Sequence, residues 1–212
     1  MTNIAILGSG RVGGALAAKL AEAGHEVAIG SRNPADVAST WAGKPVTVTG
    51  TAAAAENAGI VVNATPGDTS VERLGALRDV LSGKVLVDVA NATVRGTDGM
   101  PGGLVYPGGS LAEHLQEALP DTKVVKTLNT MLFTVIVDPH SLKAPPTAFL
   151  SGDDADAKTT VAALLGDLGW PADWIEDLGD VATARGPEAL MLIVPSILRN
   201  HGMVPFALTI AR

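Results

Sequence analysis

"ILGSGRVGG", Ile6 to Gly14, decides how the rest of the chain is read. Gly8, Gly10 and Gly13 stand in G-x-G-x-x-G order, a weak signal by itself in a chain with 24 glycines. The surroundings make it informative. "NIAIL" (Asn3–Leu7) enters the loop as a short buried strand. "RVGGALAAKLAEAG" leaves it with helical spacing, Val12, Leu16, Leu20 and Ala23 sharing one side, and Gly24 suits the C-terminal stop. "EVAIG" (Glu26–Gly30) completes a strand–helix–strand unit. In such a unit Gly8 permits the tight turn, Gly10 lets the backbone approach a pyrophosphate, and Gly13 lets the helix pack close to the strand. The helix N-terminus adds free N–H groups and the positive end of a dipole. These are the parts of a dinucleotide-binding loop.

The end of the second strand then selects the dinucleotide. In this unit a residue roughly 20 positions past the loop meets the adenosine ribose. Ser31 stands 18 residues after Gly13, in "AIGSRNPAD" (Ala28–Asp36). An acid there would bond the ribose hydroxyls of NAD and repel a 2'-phosphate. Ser31 offers a hydroxyl, and Arg32 offers a planar cation matched to phosphate oxygens. The pair points to NADP(H), with Ser9 and Asn33 as further hydrogen-bonding candidates.

Strands and helices go on alternating. "VTVT" (Val46–Thr49) reads as a strand, "TAAAAENAG" as a helix capped by Thr51, and "IVVNA" (Ile60–Ala64) as a strand buried on both faces. A helix from Ser70 to Leu81 and a strand "KVLVDVA" (Lys84–Ala90) follow. Asn91 to Gly109, rich in Gly and Pro and without period, reads as a long loop. Ser110 and Glu113 then form a capping-box pattern for a helix to Leu119, before a strand "KVVKTL" from Lys123. Further on, Thr147–Gly152 reads as a strand, Asp153 or Asp154 as the cap of a helix reaching Leu168, and "ADWIED" as a short strand. Gly186-Pro187 opens a last helix, which Pro195 breaks or kinks. This alternation predicts an α/β fold with a mostly parallel sheet covered on both faces. A boundary falls between Met131 and Pro146. Ligands in open sheets of this kind sit beyond the carboxyl ends of the strands. Ala64, Thr65 and Pro66 after one strand, and Ala90 and Asn91 after the next, are therefore candidates to line the nicotinamide half.

Composition narrows the function classes. The net charge of -7 excludes nonspecific nucleic-acid binding, which needs a basic surface. Hydrophobic residues are 47% of the chain but aromatics only 3%, so the core is aliphatic. No cysteine is present, which excludes disulfides, thiolate metal sites and a cysteine nucleophile. The four histidines are scattered without ligand spacing, so no metal site is expected. No uninterrupted apolar run approaches the ~20 residues of a membrane span, and the N-terminus lacks a basic n-region. The expectation is a soluble cytoplasmic protein with no membrane partner. "PEALMLIVPSIL" is apolar enough for a homodimer interface or for the floor of an acceptor site.

"AILGSGRVGGALAAKLAEAGHEVAIGSRNP", "SLAEHLQEALPDTKVVKTLNTM", "FLSGDDADAKTTVAALLGDLGW" and "IEDLGDVATARGPEALMLI" together resemble the NADPH-dependent coenzyme F420 reductase family, the F420-dependent NADP oxidoreductases. The resemblance covers most of the chain and is weakest from Gly96 to Gly109 and in the last dozen residues. It implies a Rossmann-type doubly wound domain over residues 1–138. A small C-terminal α/β domain over residues 139–212 would complete an acceptor cleft. It also implies that Ser9, Gly10, Arg11, Val12, Ser31 and Arg32 hold the NADP phosphates. The implied reaction is direct hydride transfer between NADP(H) and a deazaflavin (coenzyme F420) or flavin-like acceptor. Such transfer depends on ring stacking more than on an acid or base. F420 carries a phosphate and a glutamate tail, for which Lys126, Lys143, Arg185 and Arg199 are the candidate cations.

Two other readings stay open on the residues. Lys126 and Asn129, near the end of a strand, fit a carbonyl or imine reductase that protonates the reduced group. An NADPH-binding redox sensor would carry the same cofactor site, because function lives in the site and not in the fold.

Overall fold

A computed structural model describes residues 1–97 and 99–211. Its elements run β1 (Asn3–Leu7), α1 (Arg11–Glu22), β2 (Glu26–Gly30), α2 (Pro34–Thr40), β3 (Thr47–Thr49), α3 (Thr51–Glu56), β4 (Ile60–Asn63), α4 (Ser70–Gly75), α5 (Arg78–Leu81) and β5 (Val85–Asp88). They continue with β6 (Thr93–Arg95), β7 (Pro101–Leu104), α6 (Leu111–Ala118), β8 (Lys123–Lys126), α7 (Phe133–Val137), β9 (Ala148–Ser151), α8 (Ala155–Asp167), β10 (Ile175–Gly179), α9 (Arg185–Ala189) and α10 (Val194–His201).

Alternation within each strand builds a layer on both sides of the sheet. Ile4 and Ile6 of β1 join Leu16 and Leu20 of α1 in one core, while Ala5 and Leu7 face Ala54 and Ala55 of α3 in the other. Such two-sided burial is what a parallel sheet under helices requires. Eight of the ten described strands form one sheet in the order β10-β9-β8-β5-β4-β1-β2-β3, and β6 and β7 pair apart from it. Every pair is parallel except β8 with β9, which meet antiparallel at Lys126↔Ser151. From β1 the chain winds outward through β2 and β3, then returns to β4 on the other side of β1. The carboxyl ends of β1 and β4 are thus the switch point, where a doubly wound sheet opens a crevice.

Several sequence expectations change in detail. Within the residues read as a small C-terminal α/β domain, the strands β9 and β10 extend the common sheet, joined by α8. The stretch read as a loop from Asn91 to Gly109 holds an antiparallel hairpin, β6 paired with β7. "TVR" has the β-branched residues for a strand, and its partner is glycine-rich, which hid it from pattern reading. The helix expected over Ser70–Leu81 is broken into α4 and α5 just after Gly75. Asp154, not Asp153, caps α8, accepting the Ala157 N–H at 2.7 Å. The helix opened near Gly186 gives way to a 3-10 turn over Leu190–Ile193, and Pro195 sits in the first turn of the next helix, α10, where the missing N–H costs nothing.

α9, α10 and the adjoining 3-10 turns form one helical run, Val181–His201, which contains an 18-residue stretch of mean hydropathy 1.3 that is 17% buried. By length and composition it is long and apolar enough to cross a membrane, which a search for uninterrupted apolar residues missed. It is also docked on the sheet through a buried carboxylate described below.

Candidate functional site

The first three glycines meet protein in three different ways. At Gly13 a Cβ would lie 1.9 Å from the Gly8 carbonyl oxygen, so α1 sits against the loop at a distance only glycine allows. Gly8 has φ +111°, and a Cβ there would stand 2.4 Å from the Ala64 carbonyl. At Gly10, by contrast, a Cβ would meet no protein atom within 4 Å. The missing side chain at Gly10 leaves room in the crevice, not room for the fold. Gly10 is also the N-cap of α1 and brings no side chain to cap it. The first N–H groups of α1, from Arg11 onward, therefore face the crevice without side-chain partners.

A cavity of about 1090 Å³ opens there. It brings together Gly8, Ser9, Gly10, Arg11 and Val12 after β1, Ser31, Arg32 and Asn33 after β2, and Ala64, Thr65 and Pro66 after β4. Ser9 Oγ and Ser31 Oγ are 3.4 Å apart across the two strand ends. Ser31 Oγ accepts the Asn33 N–H at 3.2 Å, which shapes the turn carrying Arg32. The Arg11 guanidinium lies over the Phe133 ring, 5.6 Å from its centroid. Gly13 stays behind the lining in its packing role. Asp36 and Glu72 also border the cavity, as do Arg73 of α4 and Arg95 of β6, which sequence reasoning did not single out.

Ala90 lies away from the cavity lining. Its side chain is buried among Leu86, Leu111 and Leu115, and its carbonyl accepts a hydrogen bond from Lys126, so it lines neither this cavity nor its neighbour. Asn91 faces a smaller cavity of about 180 Å³ beside the first. Its amide is held by Asn129: Asn129 Nδ2 donates to Asn91 Oδ1 at 2.9 Å, and Asn91 Nδ2 donates to the Asn129 carbonyl at 3.0 Å.

Lys126 is 1% exposed, and its ammonium group has three donors to place. One goes to Asp88 Oδ2 at 2.8 Å, one to Glu188 Oε1 at 2.9 Å, and one to the Ala90 carbonyl. Burial pulls this amine's pKa down, but the two carboxylates outweigh burial and hold it above the usual lysine range. With every donor engaged and no place on the cavity wall, Lys126 is not arranged to protonate a substrate.

The network continues both ways. Asp88 Oδ1 accepts from Asn63 Nδ2 at 2.8 Å, and Asn63 Oδ1 accepts from Thr65 Oγ1 at 2.7 Å, so the chain ends at the cavity wall. On the other side Glu188 Oε2 accepts the Leu111 N–H at 2.7 Å and Oε1 the Ala112 N–H at 3.2 Å. Glu188 thereby caps α6 from across the molecule and fixes α9 to the sheet. The other cations expected for an acceptor tail lie elsewhere. Arg185 pairs with Glu113 (Nε to Oε2, 2.9 Å), Arg199 donates to Ser196 Oγ, and neither they nor Lys143 border the main cavity. No cluster of metal-ligating side chains occurs among the described residues.

Comparisons with known proteins agree with this geometry. Residues 3–92 match the family model described as NADP oxidoreductase, coenzyme F420-dependent. A crystal structure of a candidate F420-dependent NADP reductase from Arthrobacter sp. FB24 superposes with a TM-score of 0.92 at 40% identity, each chain covered completely. The metalloreductase STEAP3 of Rattus norvegicus is 31% identical over 199 residues, which is 91% of this chain and 37% of that protein. The chain thus spans under two-fifths of the length of that curated relative. A reductive aminase from Aspergillus terreus in complex with NADPH shares the fold, with a TM-score of 0.65 at 19% identity over 94% of this chain and 61% of its own.

Proposed function

This chain belongs to the coenzyme F420-dependent NADP oxidoreductase family and is an NADPH-dependent oxidoreductase, and on that premise we propose that it moves hydride between NADP(H) and a deazaflavin or flavin-like acceptor. The observation that carries the reading is one continuous cavity joining the glycine loop to Ser31 and Arg32. NADP(H) fits the residues present. The open space at Gly10 and the N–H groups of α1 would receive the pyrophosphate. Ser31, Arg32 and Asn33 would receive the 2'-phosphate, and no acid stands at position 31 to repel it. Ala64, Thr65 and Pro66 would border the nicotinamide half.

Bound NADPH supplies the hydride. The protein's part is to orient the nicotinamide against the acceptor ring and keep water from between them, which needs positioned walls more than a proton donor. Thr65, held by Asn63, is the positioned wall on this side. The saturated hydrogen bonding of Lys126 supports this reading over a carbonyl or imine reductase.

The test is to mix the protein with NADPH and oxidised F420, and in parallel FMN, and follow acceptor bleaching. Rapid bleaching of F420, much slower with NADH, is the expected result. Cofactor binding without hydride transfer to any acceptor would overturn the proposal and favour a sensor.

A further inference from the structure

The cations of this acidic chain are unevenly satisfied. Lys123, Lys126, Lys158 and Arg185 each have a carboxylate partner. Arg11, Arg32, Arg73 and Arg95, the four arginines around the main cavity, form no ion pair with a carboxylate among the described residues. A guanidinium left unpaired beside a cavity, on a protein with net charge -7, marks where an anion is received.

The cofactor accounts for only part of that charge. Its phosphates fall to the α1 N-terminus and the end of β2, where Arg11 and Arg32 stand. Arg95 is placed differently. It ends β6 in the hairpin that follows β5, and with Pro66 it borders both the main cavity and the 180 Å³ cavity beside it. Gly67, Asp68, Asn91, Thr93, Gly99 and Pro101 form the rest of that smaller space. Arg95 therefore stands at the neck between the two, beyond the ends of β4 and β5, on the nicotinamide side. Its one hydrogen bond among the described residues is a long one, Nη1 to the Gly99 carbonyl at 3.5 Å. Asp68 shares the smaller cavity but does not pair with it within 4.0 Å, so among the described residues no carboxylate occupies the fork.

We propose that Arg95 binds an anionic group, a phosphate or carboxylate, carried by the hydride acceptor, with the smaller cavity receiving that group. This rests on the acceptor reading above and assigns its charge recognition to the hairpin instead of to Lys126, Lys143, Arg185 or Arg199. A planar fork favours bidentate oxyanions, so the acceptor's ring would be steered by a handle remote from the reacting atom.

FMN and riboflavin share a ring and differ by one phosphate, which makes them the probes. Flavin fluorescence quenching would be titrated on NADP+-loaded protein, wild type, Arg95→Gln, Arg95→Lys and Arg199→Gln. Wild type is expected to bind FMN at least tenfold tighter than riboflavin. Arg95→Gln should collapse that ratio to near one, Arg95→Lys should restore part of it, and Arg199→Gln, which borders neither cavity, should leave it intact. Equal binding of the two flavins by wild type, or a ratio unchanged in Arg95→Gln, would overturn the assignment. So would a loss in Arg95→Gln confined to NADP+ affinity, which would give Arg95 to the cofactor. Bleaching of F420 by NADPH, scored separately, decides whether the acceptor reading itself stands.

Discussion

Replacing Lys126 by Met removes a cation that two buried carboxylates share and keeps the aliphatic stem. The cluster of Lys126, Asp88 and Glu188 carries a formal charge of -1, from one cation and two anions, and the variant carries -2 in the same buried space. Each carboxylate keeps two donors: Asn63 Nδ2 and the Ala90 N–H for Asp88, the Leu111 and Ala112 N–H groups for Glu188. Those bonds keep the site from collapsing but do not neutralise it. Removing one partner of a buried pair costs about 3–5 kcal/mol, a large share of a typical stability of roughly 5–15 kcal/mol. At roughly 2–4 °C per kcal/mol for a domain of this size, Tm should fall by about 6–20 °C. The lysine's folded pKa is raised, so its contribution is fully present below the unfolded value and is lost only as pH rises through the folded one. A measurement at pH 7 therefore sees all of it. Urea unfolding followed by the fluorescence of buried Trp170, whose indole N–H donates to the Ile136 carbonyl at 2.9 Å, gives the loss directly. Adding Asp88→Asn and Glu188→Gln should recover much of the loss, because no charge then remains uncompensated. A loss under about 1 kcal/mol would refute the reasoning, since a buried charge cannot be left alone so cheaply. So would unchanged stability with turnover down by about 10²–10⁴, the signature of a missing proton donor.

Other expectations follow from the same geometry. Arg32→Ala should weaken NADPH binding by roughly 10–100-fold, the range of about 1.5–3 kcal/mol for hydrogen bonds to a charged group, with NADH nearly unaffected; equal losses in calorimetric titrations would remove the 2'-phosphate assignment. Gly10→Asn puts a better N-cap residue where a Cβ meets no protein atom within 4 Å, so Tm should hold or rise while NADPH affinity drops at least tenfold; unaffected binding would mean that the loop is not the pyrophosphate site. Gly13→Ala should do the reverse and destabilise the fold itself, because its Cβ would fall 1.9 Å from the Gly8 carbonyl. The Glu113 carboxyl is held below the usual range chiefly by the Arg185 hydrogen bond, against a smaller opposing effect of burial. Its modest stabilisation is present above the unfolded pKa and lost as pH falls through the folded one. In urea unfolding, Arg185→Gln should thus differ from wild type at pH 7, and the difference should shrink as pH falls through the folded pKa of Glu113.

The cofactor half of the site was legible because its parts are local. Gly8, Gly10, Gly13, Ser31 and Arg32 owe their meaning to spacing within one strand–helix–strand unit, and short range is what a sequence displays best. The buried network was visible only in outline. Asn63 in "IVVNA", Asp88 in "KVLVDVA", Lys126 in "KVVKTL" and Glu188 in "PEALMLIV" each interrupt an apolar run. A lone polar residue in a buried strand needs a partner, yet nothing in the chain says which partner. The hairpin that carries Arg95 left even less trace, since β7 is half glycine and pairs by backbone alone.

The sequence by itself determined the kind of fold and singled out the glycine loop with Ser31 and Arg32 as the candidate NADP(H) site, because periodicity, glycine spacing and the residue after β2 are properties of neighbouring residues. Only the tertiary structure decided what surrounds Lys126 and which cations border the cavities. Those answers depend on contacts between residues 38 and 62 positions apart, Lys126 with Asp88 and with Glu188, and on a hairpin folded beside the end of β4. A side chain's chemistry is set by the groups that surround it in space, and chain order does not record them.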